Sequence, residues 1–199
     1  MASAPAILDA AATLFLRGGY LGTSVDAVAE LARVSKQTIY THFGDKERLF
    51  REVVLRNSEA AEPFIASIEP VLAGAGDLET GLRELARRYL AIVLRPEVVS
   101  LRRLVIGEAA AFPELAREYH ERVPQRVLDT LTVAFERRAR SGELGGGDAR
   151  RAAEHYAFLV IGALLDRAMF TGEDRSVDVR ELEAAADAGV RAFLAAHGL

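Results

Sequence analysis

Between Ser24 and Phe43 the chain reads SVDAVAELARVSKQTIYTHF, and its second half gathers short polar groups on one side of a helix. Laid out at about 100° per residue, Ile39 and Phe43 point roughly the same way, toward a core. Gln37, Thr38 and Thr41 point away from them. Lys36 and Tyr40 lie on one flank and His42 on the other. The outward face therefore offers an amide, two hydroxyls, an amine and a phenol, with no large aliphatic side chain. Amides and hydroxyls can pair with base edges in a DNA groove, while cations and hydroxyls pair with phosphates. Lys46 falls in the first turn of the following helix, where the helix dipole disfavours a cation. A phosphate lying against that helix N-terminus would remove the conflict.

Such a face needs a frame, and the neighbouring residues supply one. Thr23 or Ser24 can cap a short helix carrying Val25, Val28, Ala29 and Ala32, and Ser35 can cap the next. A tight turn at Arg33-Val34 joins them into a helix-turn-helix. Ala29 is small enough for close approach, and Ala32, Val34 and Ile39 fill the space between. Upstream, Ile7, Ala11, Leu14 and Phe15 form a helical stripe ended by Gly18-Gly19. Gly44-Asp45 opens a helix through Leu49, Val53 and Val54 to about Pro63.

The rest of the chain is helical too. Alternating β-branched runs and Asn-Gly hairpin turns are missing. The Ala73–Gly76 stretch is an internal boundary, after which Asp77 can cap a helix ending near Arg95-Pro96. Another runs from Pro96 to about Ala111. Pro113 suits the first turn of the next, which reaches Ser141-Gly142 and should kink at Pro124. Gly145-Gly146-Gly147 forms a loop, Asp148 starts a helix to about Thr171, and a last helix spans about Val179 to His197.

Composition narrows the function. Half of the 199 residues are hydrophobic and 27% are charged, as in a globular protein. Without cysteine, disulfides, thiol catalysis and thiolate metal sites are excluded. The N-terminus does not read as a secretory signal, and the longest apolar stretch, Ala157 to Leu165, falls short of the roughly 20 residues that span a bilayer. A cytoplasmic protein is expected. The net charge of −4 taken alone argues against a nucleic-acid binder. Residues 1–50, however, are neutral, with Arg17, Arg33, Lys36, Lys46 and Arg48 against Asp9, Asp26, Glu30, Asp45 and Glu47. The case for DNA must therefore come from motif geometry.

Other polar residues have plain explanations. Arg137, Arg138 and Arg140 sit where a helix C-terminus favours positive charge. His120 and His155 lack a second ligand four residues on, so no metal and no cofactor is expected. With no nucleophile–base set and no phosphate loop, an enzyme is not expected either.

The stretch Ile7 to Val54, through ILDAAATLF, GGYLGTSV and VAELARVSKQTIYTHFGDKERLF, resembles the DNA-binding domain of the TetR family of transcriptional regulators. The body, through RRLVIGEAAAFPEL and AREYHERVPQRVLDTL, is similar to an AefR-like or AcrR-like subgroup. The resemblance implies an all-α, nine-helix fold, with a three-helix helix-turn-helix DNA-binding domain in residues 1–50 and a ligand-binding and dimerisation domain in 51–199. It implies base contact from Lys36, Gln37 and Thr41, and phosphate contact from Thr23, Thr38, Tyr40, His42 and Lys46. It places Tyr89, Arg103, Glu108, Tyr119, His155 and Phe158 around an effector cavity, although each could equally pair with neighbours or solvent. Phe158, Ile161, Leu165, Val190, Phe193 and Leu194 fall at a homodimer interface. The implied partners are a near-palindromic operator and a small, mainly apolar effector that releases a repressor from DNA, with no role for a membrane. One position departs from the pattern. The family usually has glycine in the helix-turn-helix turn, where this chain has Arg33, and a left-handed backbone is expected there.

Overall fold

The computed structural model describes residues 4–171 and 178–198, and all regular structure among them is helical. The helices are α1 (Ala4–Gly18), α2 (Val25–Ala32), α3 (Lys36–Phe43), α4 (Lys46–Ser58), α5 (Glu62–Gly74) and α6 (Leu78–Val93). They continue with α7 (Pro96–Gly107), α8 (Pro113–His120), α9 (Arg126–Arg140), α10 (Ala149–Phe170) and α11 (Val179–His197). A 3-10 turn at Glu59–Ala61 joins α4 to α5, and a π-helical turn at Glu121–Gln125 joins α8 to α9. Counting each joined pair once, the described residues form nine continuous helical stretches.

The π turn is where Pro124 sits. Proline has no N–H and its ring displaces the carbonyl four residues back, so the ladder cannot run through it unchanged. At the proline where a kink is expected, the α-helical pattern gives way to this π turn. Helix starts also follow local chemistry. Ser24, Ser35, Asp45, Asp77 and Asp148 each accept a backbone N–H at the head of α2, α3, α4, α6 and α10. Two boundaries differ from the sequence reading. The helix expected to reach about Pro63 breaks at Ser58 and resumes as α5, which Pro63 opens in its first turn. The one expected to reach Ala111 stops at Gly107.

The chain divides into two compact units, residues 1–60 with 100–120, and residues 61–99 with 121–199. The first is larger than the segment 1–50 read from the sequence, because it takes in the rest of α4 and all of segment 100–120. Its centre is Ile7, Ala11 and Phe15 of α1, Val28 of α2, Ile39 of α3, and Leu49, Phe50, Val53 and Val54 of α4.

In the second unit α10 buries one face, from Ala152 through Tyr156 and Val160 to Leu164, and leaves Phe158 and Leu159 exposed, so its apolar stretch is not covered on every side within the chain. Tyr156, Phe135 and Phe193 form its aromatic centre, with ring centroids 5.3 to 5.7 Å apart. The fully buried Tyr156 hydroxyl donates to the Leu82 carbonyl at 2.8 Å, so its polar end is satisfied. Gly189 sets how closely α11 meets α10. A Cβ there would lie 2.8 Å from the Leu159 carbonyl oxygen and 2.9 Å from the Val160 Cα.

This packing corrects part of the dimer assignment. Val190 and Phe193 are fully buried and Ile161 is 5% exposed within the single chain, so they belong to its own core and offer no surface to a second copy. Leu165 and Leu194 are half-buried. Phe158 alone of the six is open, at 66% exposure, and its neighbour Leu159 is 46% exposed.

Candidate nucleic-acid interface

Helices α2 and α3 are held by three local devices. Ser24 Oγ accepts from Ala27 N at 3.1 Å, and Ser35 Oγ accepts from Thr38 N at 3.1 Å. Between them Val34 N donates to Ala29 O at 3.0 Å and Arg33 N to Glu30 O at 3.1 Å. This nested pair closes a helix with its next residue in the left-handed region. That residue is Arg33, at φ 55° and ψ 44°, the one non-glycine residue with positive φ among the described residues.

The turn leaves α3 with one buried side chain, Ile39. Lys36, Gln37, Tyr40, Thr41 and His42 are exposed, and Thr38 is half-buried. Five of the eight residues expected at DNA thus share the open surface of one eight-residue helix. Their bonding states differ. Thr41 Oγ1 donates to Gln37 O at 2.8 Å, leaving its oxygen free to accept. Thr38 Oγ1 lies 2.8 Å from Ser35 Oγ. Gln37 carries the free amide suited to a base edge.

Lys36 is not free. Its Nζ lies 2.9 and 3.0 Å from the two carboxylate oxygens of Asp26 on α2, and this bond, with the charge behind it, raises its pKa. Both side chains are about half exposed or more, at 48% and 70%, so the pair is screened and contributes little to stability. Its consequence is competitive, because any other acceptor for the Lys36 ammonium must displace this carboxylate.

Lys46 begins α4, whose cap is Asp45, with Oδ1 accepting from Arg48 N at 2.7 Å. The cation rests 4.2 Å above the centre of the Tyr20 ring, a face that attracts positive charge. Tyr20 belongs to a cluster within the same unit. Its ring centre is 5.2 Å from Phe50, 6.2 Å from Phe15 and 4.6 Å from Phe112. Burial, followed by Glu47, Asp45 and Glu108, raises its pKa. Thr23 differs from the other seven: it is 4% exposed and its Oγ1 donates to Gly19 O at 2.9 Å.

The six residues expected around an effector do not gather in one unit. Arg103, Glu108 and Tyr119 fall in the first, and Tyr89, His155 and Phe158 in the second. Glu108 Oε1 accepts the Tyr20 N–H at 2.9 Å. Tyr119 is buried, which raises its pKa, with Arg102 opposing the shift. Tyr89 stacks on Phe64 at 4.6 Å. His155 Nδ1 lies 2.9 Å from His197 Nε2, a pairing between α10 and α11 that the sequence did not signal. The first unit has an open cleft of about 550 Å³ between the start of α4 and segment 111–115, and the second a hollow of about 220 Å³ at the glycine loop. None of the six lines either one. Sequence reasoning gave no role to Asp26 and Tyr20, and set Glu108 at an effector rather than against Tyr20. Tyr20 alone carried a signal, as an aromatic residue set among glycines in the turn after α1.

Comparison with known proteins agrees with this geometry. Residues 7–53 match the family described as bacterial regulatory proteins, tetR family. Residues 80–198 match the AefR-like transcriptional repressor C-terminal domain. The chain is 53% identical over 73 residues to the HTH-type transcriptional regulator YhgD of Bacillus subtilis, a match spanning 33% of this chain and 38% of that protein. A solved structure described as a TetR-family transcriptional regulator from Mesorhizobium loti has TM-score 0.89 and 39% identity, covering 98% of this chain and 96% of the other. The flavonoid-responsive regulator FrrA has TM-score 0.75 and 30% identity, covering 98% and 96%.

Proposed function

Because this chain belongs to the TetR family of bacterial regulatory proteins, we propose that it acts as a cytoplasmic homodimeric repressor that reads a near-palindromic operator with α3 and leaves it when a small, mainly apolar effector binds residues 51–199. The observation that carries the DNA reading is the open face of α3, presented by a doubly capped helix-turn-helix. Gln37, Lys36 and Thr41 read base edges. Thr38, Tyr40, His42 and Lys46 hold phosphates. Thr23 is reassigned to ending α1, since its hydroxyl is spent inside the turn. A two-fold dimer presents two such helices, and the half-site spacing follows from the distance between them. The open apolar residues Phe158 and Leu159 on α10 support a dimer contact there. The response named for FrrA supports an effector of apolar character. That effector must bind the DNA-incompetent arrangement more tightly, because equal affinity for both shifts nothing.

The test is operator binding against a sequence-randomised duplex. Gln37→Ala lowers the ratio of the two affinities, because a good base contact carries roughly 1–3 kcal/mol of discrimination. Asp26→Asn raises affinity for both duplexes by releasing Lys36. An unchanged ratio in Gln37→Ala removes the base-reading role of that residue.

A further inference from the structure

The first unit contains a residue from outside the helix-turn-helix that reaches its phosphate-facing edge through one intermediary. Glu108 follows α7 directly. Its carboxylate accepts the backbone N–H of Tyr20 at 2.9 Å, across 88 residues of sequence. The approach is close enough that a Cβ added to Gly19 would stand 3.2 Å from the same oxygen. The carboxylate therefore lies against the turn that ends α1. Gly19 in that turn has φ 70°, a conformation that leaves room for both.

Glu108 and Phe112 act as one piece. Ala111 N and Phe112 N both donate to the Glu108 carbonyl, at 3.0 and 2.8 Å. Phe112 then meets the Tyr20 ring edge-on at 4.6 Å, while Phe50 flanks it at 5.2 Å. Tyr20 is thus fixed at its backbone by a carboxylate and at its ring by two aromatic neighbours. On the ring rests Lys46 Nζ, 4.2 Å from the centre. The cation sits on a support whose placement depends on Glu108.

We propose that Glu108 is a positioning residue for DNA binding: by fixing Tyr20 it holds Lys46 where a phosphate meets the start of α4. The inference rests on the DNA-binding reading of the previous section. It differs from that reading in making a residue with no place at the DNA set the strength of a phosphate contact. A hydrogen bond to a carboxylate is short and directional, so losing it frees the Tyr20 backbone and with it the ring beneath Lys46. A charge-based account makes a different forecast. If Glu108 acted simply as a negative charge repelling phosphates, removing the charge in any form would strengthen binding.

The experiment measures affinity of the full-length protein for a sequence-randomised duplex across a salt series, for the parent, Glu108→Gln, Glu108→Ala, Lys46→Ala and the Glu108→Ala/Lys46→Ala pair. Glutamine keeps an acceptor oxygen, so Glu108→Gln binds nearly as the parent does. Glu108→Ala weakens binding about two- to fivefold, the range an exposed cation–π contact spans. It also makes the salt slope shallower by up to about one phosphate contact. In the Lys46→Ala background Glu108→Ala adds nothing, since a double-mutant cycle cancels when one residue acts through the other. Tighter binding by both Glu108 variants overturns the proposal in favour of charge repulsion. Full additivity with Lys46→Ala, or no effect of Glu108→Ala, also overturns it. Thermal melting separates these results from loss of the fold: if Glu108→Ala melts well below the parent, Tyr20→Leu, which keeps the backbone bond but removes the ring, must reproduce the salt slope of Lys46→Ala, and failure to do so counts against the proposal. A parent that shows no salt-dependent DNA binding refutes the DNA reading itself, whereas a parent and Lys46→Ala that differ, with Glu108→Ala matching the parent, refutes only this inference.

Discussion

Replacing Arg33 by glycine should make the protein more stable. Arg33 sits at φ 55° and ψ 44°, in the left-handed region, closing α2. A residue with a Cβ is held there at a cost of roughly 1–2 kcal/mol. Glycine removes that cost but restricts a more flexible unfolded chain, at roughly 0.5–1 kcal/mol. The Arg33 backbone bonds to Glu30 and Ala29 do not involve the side chain and survive the change. Among the described residues the exposed guanidinium makes no hydrogen bond or ion pair, so no partner is abandoned. The difference is a net gain of about 0.5–1 kcal/mol. For a chain of this size that corresponds to a melting temperature higher by about 1–4 °C. Arg33→Ala is the control, because it keeps the Cβ and should gain nothing. Calorimetry or circular-dichroism melts at matched protein concentration measure all three. A melting temperature for Arg33→Gly at or below that of Arg33→Ala would refute the strain argument.

Three further outcomes follow from the geometry. Phe193→Ala empties a fully buried site between Phe135 and Tyr156 and should destabilise the fold by roughly 3–5 kcal/mol, read by denaturant titration; a loss below about 1 kcal/mol would mean the ring is not core. Phe158→Asp, on an open face, should instead leave the subunit folded while shifting sedimentation toward monomer, and an unchanged dimer would move the interface off that residue. The His197 pKa lies below its ordinary value of 6.5, chiefly through burial and then through His155. The unfolded chain therefore binds the proton more readily, so this contribution is complete above the ordinary value and fades as pH falls through the folded one. Melting temperature should drop more steeply in the parent than in His197→Gln as pH falls from 6.5 through the lower folded value, and parallel pH profiles would refute the linkage.

What could be read from the sequence is what neighbouring residues decide. Ser24, Ser35, Asp45, Asp77 and Asp148 announce helix starts because a cap bonds two or three residues ahead. The left-handed turn at Arg33 was expected instead from the resemblance to a family that usually has glycine there. The open face of α3 followed from its period, since one turn of polar groups opposite Ile39 has nowhere to go but solvent. Val190 and Phe193 mark the limit. A stripe on α11 says that one face is covered, and says nothing of whether the cover is α6, α9 and α10 of the same chain or another subunit. The Glu108–Tyr20 bond and the His155–His197 pair span 88 and 42 residues. No local pattern encodes such meetings, and family resemblance placed Glu108 and His155 around a ligand instead.

The discontinuous first unit has a consequence for anyone who would move this reading head to another regulator. A cut after α4 would carry α3 and its polar face intact, but would leave Phe112 and Glu108 behind with the donor. The recipient's own loop would then have to fit against Tyr20, and a mismatched loop would alter how tightly any operator is gripped without changing which one is recognised. Chimeras within this family should therefore exchange two stretches of chain together. One that exchanges the first alone should keep its preferred sequence and lose its grip.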